Sequence, residues 1–231
     1  MDEKKTYKKS ENLRVQERDL EIFKFLDRVG YANQEQITQA VCNISDEKSQ
    51  AAILRRLYLL RRFEYLTVFS TQKGVYYTLT RKSKLNNALI STIKLDQLPH
   101  HDFLIELFFC VQDEQILSER ECIATFKVVG KKGKVPDMVI NDWIIEFERT
   151  NKSVADCKSV VDYWTVEQGK NLCIIYDSEQ IKNRYSGLIN SRVRLIESQK
   201  VTQILQSLRD DDNTNNGNND YILKDIKNKY M

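Results

Sequence analysis

The sequence is poor in the residues that interrupt regular structure, with only 7 Gly and 2 Pro among 231 residues. So few turn-forming residues predict a chain that lies mostly in helices and strands. It also lacks an apolar run long enough to cross a bilayer, and no signal peptide precedes the first charged segments. From these absences we expect a cytoplasmic protein with no membrane partner.

Histidine is scarce and cysteine is unpatterned. The two histidines, His100 and His101, are adjacent, and no C-x-x-C occurs, so a zinc site is not expected. An odd number of widely separated cysteines predicts free thiols in a reducing compartment rather than a disulfide framework. These are Cys42, Cys110, Cys122, Cys157 and Cys173. A bound metal would therefore need oxygen ligands, which favours Mg²⁺ or Mn²⁺.

Charge is distributed locally rather than over the whole chain. Apolar residues make up 41% of the sequence, enough for a core, and the net charge is only +3. This balance excludes a chain that coats nucleic acid through overall positive charge. Basic residues concentrate in two segments, 1–18 and 55–62.

The N-terminal third predicts a DNA-binding domain. Residues 1–14 form a flexible basic arm, and residues 15–80 show three helical patterns followed by two strands around Lys73-Gly74. Ser45-Asp46 can cap the third helix, whose apolar stripe is Ile53, Leu54, Leu57 and Leu60. This order is typical of a winged helix-turn-helix. The predicted DNA-binding residues are Lys48, Gln50, Arg55, Arg56, Arg62 and Lys73. The alternative is a small helical domain that binds protein or nothing, because a basic face is also an ordinary solvated helix.

The remainder predicts a mixed α/β domain, so the fold class is α+β. Residues 81–98 form a connector, 99–208 the second domain, and 209–231 an acidic, Asn-rich tail that can form a short helix. Within the second domain, helices are predicted at 102–113, 153–168, 178–191 and 201–208. Strands are predicted at 121–129, 171–176 and 192–196, with a hairpin at 137–149 and a polar turn at 130–134.

The hairpin carries the most informative residues. If Asn141-Asp142 is its turn, Ile140 lies opposite Trp143, and Asp137 lies opposite Glu146. One face is then entirely apolar, and the other gathers Asp137, Glu146 and Glu148. Opposed like charges repel unless a cation lies between them or one group is protonated. These three carboxylates are the predicted metal ligands. The alternative is a solvent-facing hairpin whose acids pair with lysines.

Lys152 follows Glu148 by four residues, at the start of the next helix. At this position it would contact a scissile phosphate or stabilise the leaving oxygen. A solvated lysine in the first helical turn is the alternative interpretation.

A family resemblance rests on this segment. P-D, eight residues, then E-x-E-x-x-x-K resembles the PD-(D/E)xK nuclease core. V-P-D-M-V-I…I-E-F-E-R-T-N-K-S, preceded by L-P-H-H-D-F-L-I-E-L, is similar to the replication-relaxation family, in particular the MOBC class of relaxases, over residues 15–200. The chain departs from nucleases at large by having Glu148 where a lysine is usual.

The resemblance implies a restriction-endonuclease-like domain that nicks one DNA strand at an origin of transfer, with Mg²⁺ or Mn²⁺. It implies an origin duplex and a single strand as partners, with an accessory or coupling protein. The implied catalytic residues are Asp137, Glu146, Glu148, Lys152, His101 and Glu121, with Glu119 nearly as good a match as Glu121. Tyr163 could serve as a nucleophile or hold DNA, although a tyrosine on an amphipathic helix is more often part of the core.

Two alternative functions stay open from the sequence. One is a non-catalytic replication or transfer regulator whose nuclease-like domain only binds DNA or a partner. The other is a transposon-end or defence endonuclease that cuts both strands.

Overall fold

The computed structural model describes residues 13–41, 47–83, 95–111, 116–129 and 134–200. The chain is mixed α+β, as predicted, and divides into two compact units, Met1–Leu95 and Asp96–Met231. The predicted arm up to residue 12, the Ser45-Asp46 cap, the 130–133 part of the polar turn, the 201–208 helix and the tail lie outside the described residues. Across the described ranges, no helix is long and apolar enough to cross a membrane.

The first unit contains the predicted three helices and hairpin. Its elements are α1 (Glu17–Val29), β1 (Tyr31–Asn33), α2 (Gln34–Val41), α3 (Glu47–Arg62), β2 (Leu66–Thr71) and β3 (Gly74–Leu79). The strands form an antiparallel sheet in the order β1-β3-β2. The sequence pattern did not predict β1, because three residues are too few to show an alternation.

The helices of this unit begin and end where local chemistry requires. Gly30 closes α1 with a φ of 88°, a conformation glycine adopts without strain, and its N–H donates to the carbonyl of Leu26. At the start of α2, Asn33 and Gln36 bond reciprocally, each backbone N–H donating to the other's side-chain oxygen at 2.9 Å. On α3, Ile53, Leu57 and Leu60 are buried as predicted, whereas Leu54 is 41% exposed and so was wrongly assigned to the core.

A buried ion pair fixes α1 to α3. The Asp19 carboxylate has no exposed surface and accepts from the Gln16 N–H at 2.7 Å and from Arg56 Nε at 2.6 Å. A second Arg56 nitrogen contacts the other Asp19 oxygen and also donates to the carbonyl of Arg14 at 2.7 Å. Both Asp19 carboxylate oxygens and two of the three Arg56 guanidinium nitrogens therefore have partners inside the unit.

The second unit contains a five-stranded mixed sheet in the order β4-β5-β6-β7-β8. Strands β4 (Ile116–Leu117), β5 (Met138–Ile140) and β6 (Trp143–Glu148) pair antiparallel, whereas β6, β7 (Asn171–Tyr176) and β8 (Val193–Glu197) pair parallel. The helices are α4 (Leu98–Cys110), α5 (Glu119–Val129), α6 (Val154–Asp162) and α7 (Glu179–Ser186). A π-helical turn, Tyr163–Glu167, extends α6.

Several predicted elements of this unit are wrong in type or extent. The predicted strand at 121–129 is helix α5, started by a capping arrangement between Ser118 and Glu121. Helix α4 begins at Leu98 rather than 102, because Pro99 is favourable in a first helical turn. Helix α7 ends at Ser186, five residues before the predicted boundary.

The sheet is covered on both faces. One face packs Met138, Ile140, Trp143, Ile145 and Phe147 against α4 residues including Leu104 and Leu107. The opposite face packs Val139 and Ile144 with residues of α6, the π turn and α7. All six residues of β6 are consequently buried, including its two glutamates.

Candidate functional site

The hairpin has the predicted register and brings the three acids to one end of β5 and β6. Asn141 turns the chain with a φ of 52°, and Ile140 pairs with Trp143. Asp137 immediately precedes β5, and its Oδ2 accepts the Phe147 N–H at 2.7 Å. Glu146 and Glu148 are 9% and 4% exposed. The face of the hairpin that carries Glu146 and Glu148 is therefore covered.

Glu146 is held by a tryptophan that the sequence analysis did not select. Trp164, in the π turn, is buried, and its Nε1 donates to Glu146 Oε1 at 2.9 Å. Burial, reinforced by the nearby Asp137 charge, raises the pKa of Glu146 to about 8. A carboxyl with that pKa is largely protonated at neutral pH unless a cation joins it.

Among the described residues, only one of the two carboxylate oxygens of Glu148 has a partner. Its Oε1 forms a close ion pair with Lys152, and its Oε2 is buried with no hydrogen-bond partner in the part of the chain that the structure describes. Burial raises the pKa of Glu148, although Lys152 opposes that shift. A buried carboxylate oxygen without a donor costs roughly 1–3 kcal/mol, so this oxygen is suited to receive a ligand.

Lys152 is held by contacts to both its side chain and its backbone. Besides its Nζ contact with Glu148, its carbonyl accepts from Arg184 Nη1 at 2.7 Å. Burial alone would lower the pKa of Lys152, but the hydrogen bond and charge of Glu148 raise it instead. The structure therefore gives Lys152 a charge-neutralising position, and Arg184 supports that position from α7.

His100, and not the predicted His101, contacts the acid cluster. His100 Nε2 lies 3.2 Å from Asp137 Oδ1, and its ring stacks on Phe147 with centroids 5.4 Å apart. Burial would lower the pKa of His100, but the hydrogen bond and charge of Asp137 raise it. His101 is buried instead, with Nδ1 3.6 Å from Glu119 Oε2. Adjacent helical residues point about 100° apart, so only one of them can face Asp137.

Glu121 also has a different position from the one that the resemblance implied. Its Oε2 accepts the Ser118 N–H at 2.8 Å, and its own N–H donates to Ser118 Oγ at 3.3 Å. These bonds make Glu121 a helix-capping residue. The S-E-R-E spacing, a capping-box pattern, is the signal that could have identified this role.

A second lysine lies beside the acids. Lys134 Nζ donates to Ser159 Oγ of α6 at 3.0 Å and lies 5.8 Å from the centre of the Tyr163 ring. Burial lowers the pKa of Lys134, against the attraction of Glu146. Tyr163 is half-buried and packs edge-on against Trp164, which agrees with the core interpretation of this tyrosine.

The acids are suited to bind a cation because they outnumber their basic partners, not because they form a complete coordination site. Among the described residues, no group of three or more His, Cys, Asp or Glu side chains is arranged to hold a metal ion. Mg²⁺, however, usually binds through one or two carboxylates together with water and substrate oxygens. The unpartnered Glu148 oxygen and the raised Glu146 pKa are observations that fit this mode.

The predicted DNA-binding residues of the first unit separate into four groups. Arg55, Arg62 and Lys73 are exposed. Gln50 is half-buried and lines a cleft of about 360 Å³ between α2 and α3. Arg56 is corrected: its guanidinium is 11% exposed and committed to Asp19, which removes it from the available surface. Lys48 lies in α3, and its side chain is outside the described set.

The chain was also compared with known proteins. No protein-family model, no curated protein and no solved structure matches it.

Proposed function

We propose that the chain is a metal-dependent DNA nickase of the relaxase type. The observation that carries this proposal is the cluster formed by Asp137, Glu146 and Glu148, which has one carboxyl group more than its two basic partners, His100 and Lys152, can neutralise. A stable fold keeps such an excess only if a proton or a cation offsets it. A divalent cation next to a phosphodiester is the arrangement that hydrolytic and transfer nucleases require.

The candidate ligands are one or two carboxylate oxygens drawn from Asp137, Glu146 and Glu148, with water and phosphate oxygens completing the coordination. Mg²⁺ or Mn²⁺ bound there would supply Lewis-acid polarisation of the phosphate and a more acidic water. Trp164 holds one oxygen of Glu146 and leaves the other for the cation. Phe147 N–H and His100 orient the two oxygens of Asp137.

His100 is the candidate proton-transfer residue in place of His101. Its Nε2 lies 3.2 Å from Asp137 Oδ1, and this contact raises the pKa of His100 against the opposing effect of burial. From that position it can donate a proton to a leaving oxygen or keep Asp137 aligned. Lys152 neutralises Glu148 and so limits the repulsion among the acids.

The first unit supports a DNA-recognition role. Its element order, helix–strand–helix–helix–hairpin with a β1-β3-β2 sheet, is the order expected for a winged helix-turn-helix. In such domains α3 would enter the major groove and the hairpin would contact the backbone. Arg55 and Arg62 on α3, and Lys73 between β2 and β3, are the exposed donors for these contacts. The mixed β4–β8 sheet similarly supports the restriction-endonuclease-like assignment.

The test is strand cleavage. Supercoiled plasmid carrying the origin of transfer of the element that encodes the chain would be incubated with Mn²⁺ or Mg²⁺. We expect open circles with the wild type and none with Asp137→Asn or Glu146→Gln. Glu179→Gln, at an exposed acid on α7, is the matched control and should cut normally.

The other outcomes identify the alternatives. Linear product from the wild type would indicate an endonuclease that cuts both strands. Specific duplex binding without cutting under either metal would contradict the enzyme proposal and favour the regulator.

A further inference from the structure

The acid cluster has two nearby lysines with different partners. Lys152 Nζ is paired with the Glu148 carboxylate, and its backbone is fixed by Arg184. Within the described part of the chain, the Lys134 ammonium instead donates to a neutral hydroxyl, that of Ser159, at 3.0 Å. The charge of Lys152 is therefore neutralised by Glu148. The charge of Lys134 is not neutralised by Ser159, because a hydroxyl group is uncharged.

The surroundings of Lys134 also orient it. Its ammonium lies 5.8 Å from the centre of the Tyr163 ring, and Tyr163 packs against Trp164, whose indole holds Glu146. A cation near an aromatic face is stabilised without being neutralised. Ser159 is exposed on α6, so the ammonium lies at the boundary between the acids and solvent. A polyanion approaching Glu146 would meet it there.

We propose that Lys134, rather than Lys152, is the lysine that binds a DNA backbone phosphate beside the acid cluster, with Ser159 and Tyr163 as its positioning residues. This inference rests on the proposed function, because it takes DNA as the ligand. Lysine binds phosphate as a point charge and needs free N–H donors. An ammonium with three donors, one of them used by Ser159, retains two for phosphate oxygens.

Lys152 is unsuited to this role for an energetic reason. A phosphate contact would compete with its close pairing to Glu148, which is 4% exposed. Withdrawing Lys152 would leave a buried carboxylate without its counter-charge, which is strongly unfavourable. Lys134 can keep its bond to Ser159 while its other donors contact phosphate, and no buried carboxylate loses its counter-charge.

The test measures the salt dependence of DNA binding by the full chain. A single-stranded oligonucleotide of mixed sequence is titrated in EDTA, so that cutting does not interfere, over a range of salt concentrations. Each lost phosphate contact lowers the slope of log K against log salt by about 0.7 for a single strand. We expect that loss for Lys134→Ala, with wild-type slopes for Lys134→Arg, for Lys152→Gln, and for Lys182→Ala as a charge-matched surface control.

The outcomes separate the inference from the proposed function. A wild-type slope for Lys134→Ala, or a reduced slope for Lys152→Gln alone, would overturn the inference. Absence of nicking by the wild type would contradict the enzyme proposal but leave the slope measurement valid. Ser159→Ala is the second variant, in case Lys134→Ala does not fold. It should weaken binding by a smaller factor with circular dichroism unchanged, and unchanged binding would count against the inference.

Discussion

The two units of the chain bury charge in opposite ways. In the first, one carboxylate, Asp19, meets one guanidinium, Arg56, and backbone groups fill the remaining positions. In the second, Asp137, Glu146 and Glu148 meet two basic side chains, His100 and Lys152. Among the described residues, one oxygen of Glu148 has no hydrogen-bond partner, and burial raises the pKa of Glu146 to about 8. The first arrangement matches one acid with one base, whereas the second has one carboxyl group more than its basic partners.

The buried charges of the first unit therefore have a structural role, whereas those of the second unit fit a functional one. A completed pair contributes to the fold only through its own contacts, and its removal should affect stability alone. An incomplete cluster costs stability until something else binds. Four substitutions test this difference between the two units, and they are ordered from the largest expected effect on stability to the smallest.

Removal of the Asp19 carboxylate should have the largest effect. Asp19→Ala leaves Arg56 buried with no counter-charge, so we expect a loss of about 3–5 kcal/mol in the free energy of unfolding. Urea denaturation of the full chain, followed by circular dichroism, measures it. A loss below about 1 kcal/mol would mean that the pair is not complete in solution.

Glu146 should make stability fall as pH rises. Its folded pKa, about 8, exceeds the ordinary value of 4.5. Between those pH values the unfolded chain has lost this proton and the folded chain retains it. The free energy of unfolding should therefore decrease by about 1.4 kcal/mol per pH unit in that window. The penalty is absent below pH 4.5 and complete above pH 8.

Glu146→Gln is the variant that isolates this effect. In EDTA it should flatten the pH dependence relative to wild type and be the more stable protein at pH 8. Thermal or urea unfolding at several pH values provides the comparison. Equal slopes for the two proteins would show that Glu146 is ionised in the fold at neutral pH. Added Mn²⁺ should recover stability in the wild type more than in the variant.

Loss of the indole donor should have an intermediate effect. Trp164→Phe removes the 2.9 Å bond to Glu146 and leaves that oxygen without the indole N–H, at a cost of about 1–3 kcal/mol. A double-mutant cycle with Glu146→Leu, whose side chain has no acceptor, separates this bond from the packing loss. Strict additivity of the two changes would mean that the bond contributes nothing.

The exposed pair between Arg149 and Asp177 should have the smallest effect. Their side chains are 35% and 33% exposed and lie 3.2 Å apart. Arg149→Ala should change the free energy of unfolding by no more than about 1 kcal/mol, and less at high salt. A larger, salt-independent loss would show that this arginine has a further role in the second unit.

The sequence predicted the hairpin well because strand alternation and the turn residues agree. Trp143, Ile145 and Phe147 face one way, and Asn141 has the positive φ that a tight turn uses. The strand predicted at 121–129 was wrong because the apolar residues Cys122, Ile123 and Val128 are compatible with either period. The local cap formed by Ser118 and Glu121 favours the helix.

The site was predictable only where its members are close in sequence. Asp137, Glu146 and Glu148 belong to one hairpin, so their convergence follows from its register. Trp164 reaches Glu146 through the geometry of a π turn, which has no period to detect, and Lys134 depends on the position of Ser159. Choosing between His100 and His101 required the exact rotation of α4, which begins four residues earlier than predicted.

The burial of β6 on both faces has a consequence for folding. A slip of one residue in its pairing would exchange the two faces of the strand. Glu146 and Glu148 would then lie among Leu104, Leu107 and Met138, far from the indole and the lysine that receive them. Two uncompensated carboxylates in that layer would cost several kcal/mol each. The same acids that form the candidate site therefore also disfavour this alternative pairing of the central strand.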